Sequence, residues 1–219
     1  QKIYNACRIG LEEARIKLSL DRGMKMSSFK CGPDYIDPMF HGRILGISSK
    51  NLDTYFTDEE MTRYLFAREA SLSDFSILEG VMGYYDGIAG ISLQASAYDV
   101  ARVTKTPVVL IINAKGMSTS VIALIQGFLQ FQSDSHIAGV ILNHTSAMLY
   151  PRLKEQIEKL LPVKVLGYVP TVSEYVIESR HLGLVTPNEI ENLQEKLEGL
   201  ATVLEETIDL DAMIKLGEC

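Results

Sequence analysis

The sequence lacks several features that would place it in a common class of protein. It has no cluster of Lys or Arg that could neutralise a nucleic-acid backbone, and its formal net charge is -7 at pH 7. It also has no apolar stretch of roughly 20 residues, the length of a membrane-spanning helix, and its N-terminus lacks the pattern of a signal peptide. We therefore expect neither nucleic acid nor a membrane as a partner, and we expect a soluble cytoplasmic protein.

Cysteine is also scarce. The three cysteines are odd in number and far apart, a spacing that fits neither a disulfide framework nor a CxxC metal site: Cys7, Cys31 and Cys219. No surrounding signature pairs any of them with a catalytic histidine, so reduced thiols are expected.

What the sequence does contain is a regular alternation of two kinds of segment. Short runs rich in Val and Ile recur between helix-like stretches, which is typical of buried parallel strands joined by helices. The predicted fold class is therefore α/β, with a mostly parallel sheet flanked by helices. No linker or repeat marks a boundary, so a single domain over residues 1–219 is expected. The predicted strands are 24–29, 75–78, 107–112, 138–142 and 163–169.

Two helix starts carry capping-box patterns. Thr57 and Glu60 predict a helix that runs to about Ala70. Thr186, Pro187 and Glu189 predict the start of the last helix. That helix has an apolar stripe at spacings of three and four, which favours core packing: Ile190, Leu193, Leu197, Leu200 and Leu204.

The segment FKCGPDYIDPMFH, residues 29–41, is the most informative part of the chain. It leaves a predicted strand and at once places Lys30 beside a loop that Pro33 and Pro38 stiffen. A stiff acidic loop next to a lysine is suited to holding a metal-phosphate group and a substrate carboxylate. An ordinary Asp/Pro turn with a solvated lysine explains the composition equally well.

Two further strand ends carry polar groups. ILEGVMGYYDG, residues 77–87, ends an apolar strand in Glu79 and then runs into glycines, which resembles a Walker B carboxylate that binds Mg²⁺. GVILN ends in Asn143, whose amide can both donate and accept, as reading an adenine edge requires. A strand that ends in Glu-Gly and a turn-forming asparagine are the ordinary alternatives.

These blocks together resemble the cobyrinic acid a,c-diamide synthase family. FKCGPDYIDPMFH, NLD, EGVMGYYDG, GVILN, LGYVP and RHLGL occur in the order and spacing of that family, over about residues 22–185. The resemblance implies a P-loop NTPase fold similar to dethiobiotin synthetase. It also implies a glutamine-dependent amidoligase that uses ATP and Mg²⁺ to convert side-chain carboxylates of a tetrapyrrole into amides through an acyl phosphate.

The resemblance implies a role for each matching residue. Lys30 would lie against the transferring phosphate, and Asp53 and Glu79 would hold Mg²⁺. The loop carboxylates would complete the catalytic and substrate site, and their neighbours would contact the tetrapyrrole: Asp34, Asp37, Tyr35 and Ile36. Asn143 would read adenine, with Pro170 in the adjoining nucleotide-binding block. Arg180 and His181 are expected on the substrate side.

The sequence departs from the family in three places. A GKT or GKS P-loop should precede residue 22, but residues 5–20 read NACRIGLEEARIKLSL, so the P-loop is missing or degenerate. The glutaminase domain that usually follows is absent, so ammonia would come from solution, a glutaminase domain or a separate subunit. Asn113 stands where related proteins often carry Asp.

Other functions remain open from the sequence. The missing P-loop favours a non-catalytic relic that binds nucleotide or tetrapyrrole without turning over ATP. A partitioning-type ATPase of the same superfamily is a weaker alternative, because the GPDYIDP loop belongs to the ligases. The sequence leaves a homodimer and the choice of tetrapyrrole open.

Overall fold

The computed structural model describes residues 23–33, 38, 41–42, 46–80, 82–172 and 193–218. These residues group into two compact units. The first unit contains the described residues of 23–104 together with 193–202, and the second contains 105–172 together with 203–218. The single-domain organisation expected from the sequence stays a prediction.

The first unit has a parallel sheet in which a buried strand lies between two others. Among the described residues the strand order is β2-β1-β3, and both pairings are parallel. Every residue of β1 is buried, as expected for a central strand. The elements of this unit are β1 (Met26–Cys31), β2 (Ser48–Leu52), α1 (Glu59–Ala70), β3 (Phe75–Glu79) and α2 (Ala97–Thr104).

Helix packing fixes this sheet from one side. Phe29 of β1, Leu52 of β2 and Val100 of α2 belong to one buried cluster, and Phe66 of α1 packs against it. The rings of Phe29 and Phe66 have centroids 5.3 Å apart in a tilted arrangement. Apolar burial of this kind holds the strand ends in place, so that polar residues can be presented at the edge of the sheet.

The start of α1 corrects one prediction. The capping box expected at Thr57 and Glu60 is wrong, because Asp58 is the N-cap and its side chain accepts a hydrogen bond from the Met61 N-H at 2.8 Å. The Thr57 hydroxyl instead donates to the Asp53 carbonyl at 2.8 Å. The predicted end of the helix at Ala70 is confirmed.

The second unit repeats the parallel arrangement. Its described strands have the order β4-β5-β6 with parallel pairings, and an isolated antiparallel bridge joins Gly167 to Ile208. The elements are β4 (Val108–Asn113), α3 (Ser120–Phe131), β5 (Ile137–Asn143), α4 (Tyr150–Leu160), β6 (Lys164–Val169), the end of α5 (Leu193–Thr207) and α6 (Leu210–Leu216).

The α/β class, the parallel strands and the flanking helices are confirmed. All five predicted strands exist with ends shifted by one or two residues, whereas β2 was missed. Leu197, Leu200 and Leu204 of the predicted stripe are buried, while Ile190 and the predicted start of that helix at 186–189 lie outside the described residues. No helix in the described part of the chain has both the length and the apolar character needed to cross a membrane.

Candidate functional site

Lys30 and Glu79 form a buried ion pair at the edge of the first sheet. Lys30 is the fifth residue of β1, Glu79 is the last residue of β3, and the parallel register places the two side by side. The Lys30 Nζ lies 2.8 Å from Glu79 Oε1, and the side chains are 4% and 3% exposed. The residue expected at the phosphate and a residue expected at Mg²⁺ are therefore in direct contact.

Asp53 lies at the same edge, immediately after β2. The register pairs Lys30 with Asn51 on the side opposite Glu79, so the chain reaches Asp53 two residues beyond that pair. Asp53 Oδ1 accepts a hydrogen bond from the Tyr55 N-H at 2.8 Å, which turns the chain sharply after the strand. The carboxyl ends of three neighbouring parallel strands thus bring Lys30, Glu79 and Asp53 to one edge of the sheet.

The chemistry of this edge fits Mg²⁺ held together with phosphates. No group of three or more metal-ligating side chains occurs in the described part of the chain. Mg²⁺ does not need one, because it keeps several waters and typically binds one or two carboxylates plus the substrate's phosphates. Asp53 and Glu79 supply hard oxygen ligands of that kind, and Lys30 supplies positive charge beside them.

A second buried carboxylate lies nearby that sequence analysis missed. Asp99 of α2 is 8% exposed and binds Arg102, whose Nη2 lies 2.8 Å from Asp99 Oδ1 and 2.8 Å from Glu59 Oε1. Hydrogen bonds to Glu59 and then Asp99 raise the pKa of Arg102 above its ordinary value. Hydrogen bonds from Arg102 and then Arg63 hold the pKa of Glu59 below its ordinary value of 4.5.

This ionic group lines a cavity of about 450 Å³ in the first unit. The cavity wall includes Thr54, which directly follows Asp53 in the chain, and Asp58 at the start of α1. The i, i+3 spacing of Asp99 and Arg102 on a helix was the one signal in the sequence that could have revealed the pair.

The loop after β3 carries a further carboxylate. Asp86 is exposed, and its N-H donates to the Gly83 carbonyl at 3.0 Å in a tight turn. A side chain at Gly83 would meet the Asp86 carboxylate, the far end of an exposed side chain, and would displace it. Asp86 belongs to the same EGVMGYYDG block as Glu79, although sequence analysis assigned it no separate role.

Asn143, the residue expected to read adenine, lies in the second unit. It ends β5, is 7% exposed, and its Oδ1 accepts a hydrogen bond from the His144 N-H at 2.9 Å. Asn113 is its register partner on β4, and Pro170 directly follows β6. The carboxyl ends of three neighbouring strands thus carry Asn113, Asn143 and Pro170, at the edge where α/β sheets bind ligands.

His144 adds a titratable group at this second edge. Burial and then the nearby charge of Lys115 lower the pKa of His144 from its ordinary value of 6.5. Its Nδ1 lies 3.3 Å from the Thr171 hydroxyl. The lowered pKa favours the uncharged ring at neutral pH, in which one nitrogen donates and the other accepts a hydrogen bond.

The remaining predicted residues lie outside the described residues: Asp34, Tyr35, Ile36, Asp37, Arg180 and His181. Cys31 is buried, and the reduced state expected of the cysteines stays a prediction. Cys7 and Cys219 also lie outside the described residues.

The chain is similar to curated enzymes over most of its length. It is 43% identical over 198 residues to the cobyrinate a,c-diamide synthase of Caldanaerobacter subterraneus subsp. tengcongensis, covering 90% of this chain and 44% of the relative. It is 39% identical over 199 residues to the enzyme of the same name from Listeria monocytogenes serovar 1/2a, covering 90% and 44%. The chain thus spans about half the length of the curated relatives it matches.

Two other comparisons add less. No family model matches the chain. The solved MinD cell division protein of Aquifex aeolicus aligns with 99% of this chain and 89% of its own, at 16% identity and a TM-score of 0.46. That likeness is too weak to support an inference about function.

Proposed function

Because the chain belongs to the cobyrinate a,c-diamide synthase family, we propose that it carries the ligase chemistry of that enzyme. The reaction is the ATP-dependent amidation of the a and c side-chain carboxylates of cobyrinic acid or a related tetrapyrrole. A substrate carboxylate accepts the γ-phosphoryl group of ATP, and ammonia then displaces phosphate from the acyl phosphate. The observation that carries the proposal is the buried Lys30–Glu79 pair beside Asp53 at one edge of the sheet.

Each charged residue at that edge has a role in this proposal. Lys30 neutralises negative charge that develops on the transferring phosphoryl group, and its burial strengthens that interaction. Glu79 and Asp53 would hold Mg²⁺ together with the ATP phosphates, and Mg²⁺ bound there would supply the positive charge that screens them. Glu79 also keeps Lys30 in place through their 2.8 Å contact. The catalytic set is completed by Asp34.

The other assignments concern binding. Asp37 and the adjacent apolar and aromatic side chains of its loop contact the tetrapyrrole: Tyr35 and Ile36. Arg180 and His181 lie on the substrate side, where a cation can pair with the carboxylates of the macrocycle. Asn143 reads the adenine edge, and Pro170 borders the nucleotide.

Ammonia comes from glutamine through a glutaminase domain or subunit. The curated relatives are about twice as long as the matched segment, which leaves room in those proteins for such a domain. A homodimer is one assembly in which the chain could work.

A non-catalytic relic is the second candidate. The observation in its favour is the sequence NACRIGLEEARIKLSL at residues 5–20, which has no glycine-rich loop ending in GKT or GKS. Such a relic would bind nucleotide or tetrapyrrole but would not hydrolyse ATP.

Titration calorimetry with Mg²⁺-ATP tests the nucleotide site, and release of phosphate from ATP in the presence of cobyrinic acid and ammonia separates the two candidates. We expect wild-type affinity in the micromolar range, about -8 kcal/mol, and a loss of affinity in Asp53→Asn, which keeps the shape of the side chain but removes its charge. Asp74→Asn is the matched control, because Asp74 is an exposed carboxylate directly before β3. This variant should bind Mg²⁺-ATP as the wild type does. ATP binding without release of phosphate would leave the relic as the better description, and undetectable ATP binding would refute the proposed nucleotide site.

Tetrapyrrole binding tests the substrate half of the proposal. Absorbance titration with cobyrinic acid should show binding by the wild type and weaker binding by Tyr35→Ala and Asp34→Ala. Binding that survives both substitutions would refute the assignment of that loop.

A further inference from the structure

Asp99 is a carboxylate that accepts four hydrogen bonds and that the proposed chemistry does not use. Its Oδ2 accepts from the Thr54 hydroxyl at 2.8 Å and from the Ala95 N-H at 3.1 Å. Its Oδ1 accepts from two nitrogens of Arg102, at 2.8 and 3.3 Å. Hydrogen bonds to a buried carboxylate are charge-assisted, so this residue fixes its partners more firmly than a neutral side chain would.

On one side Asp99 holds the loop that carries Asp53. Thr54 directly follows Asp53, and its hydroxyl is bonded to Asp99 across 45 residues of sequence. The turn is closed locally by the Tyr55 N-H on Asp53 Oδ1 and by the Thr57 N-H on the Asp53 carbonyl, at 2.8 and 3.2 Å. The Thr54–Asp99 bond therefore anchors an already ordered turn to α2.

On the other side the start of α2 is bonded to the loop that follows Glu79. The Tyr98 N-H donates to the Tyr84 carbonyl at 3.0 Å, and the Ile88 N-H donates to the Gln94 carbonyl at 3.0 Å. The segment between β3 and α2 folds back on itself so closely at Gly87 that a side chain there would collide with the backbone oxygen of Gln94. The rings of Tyr84 and Tyr98 also meet edge to face, with centroids 6.0 Å apart.

We infer that Asp99 is a positioning residue for the metal-phosphate site, and that it holds Asp53 at a fixed distance from the loop of Glu79 by way of Thr54. This rests on the proposed function, because it takes Asp53 and Glu79 as ligands of a divalent cation bound with nucleotide phosphates. Arg102 balances the charge of Asp99, which is 8% exposed.

The binding of Mn²⁺, a probe for Mg²⁺ sites, tests the inference without requiring turnover. Free Mn²⁺ is measured by electron paramagnetic resonance in the presence of saturating ATP. Thr54→Val keeps the shape of the side chain but loses the hydroxyl, and we expect it to raise the dissociation constant for Mn²⁺ about tenfold, equivalent to about 1.4 kcal/mol. Thr54→Ser keeps the hydroxyl and should stay within about twofold of the wild type.

Two further variants separate positioning from general stability. Glu59→Gln removes the exposed partner of Arg102 but leaves the Thr54–Asp99 bond, so its Mn²⁺ affinity should be unchanged. In an Asp99→Asn background, replacing Thr54 with Val should add little to the loss already present, because the charge-assisted bond is gone. All titrations are run at a temperature well below the midpoint of each variant's thermal unfolding. Loss of folded protein then does not imitate loss of Mn²⁺ affinity.

The outcomes are distinct. Equal Mn²⁺ affinity in Thr54→Val, Thr54→Ser and the wild type would overturn the positioning role of Asp99 while leaving the metal site intact. A loss in Glu59→Gln as large as that in Thr54→Val would also overturn it, since the effect would then come from general loosening. A wild type that binds no Mn²⁺ with ATP present would refute the proposed metal site itself.

Discussion

Replacing Lys30 with methionine should destabilise the fold strongly. The side chains of Lys30 and Glu79 are 4% and 3% exposed, so the substitution leaves a carboxylate in the interior without its cation. Removing one partner of a buried ion pair typically costs about 3–5 kcal/mol, because the remaining charge keeps its desolvation cost. Methionine fills a similar volume, so a cavity contributes little to the loss.

The expected change is large enough to measure by thermal unfolding. In chains of this size each kcal/mol shifts the midpoint by about 2–4 °C, so Lys30→Met should lower it by roughly 6–20 °C. Lys50→Met is the matched control, because Lys50 is an exposed residue of β2, the neighbouring strand. Its free energy of unfolding should change by no more than about 0.5 kcal/mol.

The pH dependence checks the cause. Burial disfavours the charged form of a carboxylate, so Glu79 in the Lys30→Met variant gains stability by binding a proton. The native variant then binds more protons than its unfolded chain, and its stability falls as pH rises. The stability gap from the wild type should therefore be wider at pH 8 than at pH 5. A loss under about 1 kcal/mol at both pH values would refute the reasoning.

Four other substitutions test three separate features. Asp58→Ala removes the N-cap of α1 and should cost about 1 kcal/mol in urea unfolding; no change would mean that the cap is dispensable. Titration of the His144 ring by NMR should give a pKa below 6.5, since burial and then Lys115 disfavour the proton, and Lys115→Met should raise it. Because the unfolded chain binds that proton more readily, wild-type stability should fall relative to His144→Asn as pH drops below 6.5; parallel pH profiles would contradict this. Gly87→Ala places a methyl group against the Gln94 carbonyl and should destabilise by about 1–3 kcal/mol, measured by thermal unfolding; a wild-type midpoint would disprove the close approach.

The sequence predicted five of the described strands and missed β2, which is mostly polar and exposed. The runs of Val, Ile and Leu in β4 and β5 predict strands, whichever strands pair with them. β2 reads SSKNL, and four of its five residues are exposed or half-buried. Its identity as a strand comes from pairing with β1, which is a long-range fact that local composition does not contain.

The prediction of the N-cap of α1 failed for a related reason. Thr57 and Glu60 match the pattern of a capping box, and the neighbouring Asp58 matches that of a simple N-cap. Sequence alone does not rank these two patterns. The hydroxyl of Thr57 is engaged with the Asp53 carbonyl and the Thr62 hydroxyl, so Asp58 is left to accept from the first turn.

The candidate site, too, could be predicted only in part from the sequence. Its individual residues could be chosen because the lysine and the glutamate lie near the carboxyl ends of predicted strands, where such sheets bind ligands. Their mutual contact could not, because it depends on the register that sets Lys30 opposite Glu79. The hydrogen bond between Thr54 and Asp99 could not be predicted either, because the two residues lie 45 positions apart in the sequence.

Stability alone does not account for the Lys30–Glu79 pair. Two apolar side chains of similar volume would avoid the cost of desolvating two charges, and such replacements in other proteins are neutral or stabilising by about 1–4 kcal/mol. A double variant, Lys30→Met with Glu79→Leu, should therefore recover most of the stability that the single variant loses. If the pair serves phosphate and Mg²⁺ binding, the same double variant should not bind Mg²⁺-ATP. Recovered stability together with wild-type affinity would show that the pair has no part in nucleotide binding.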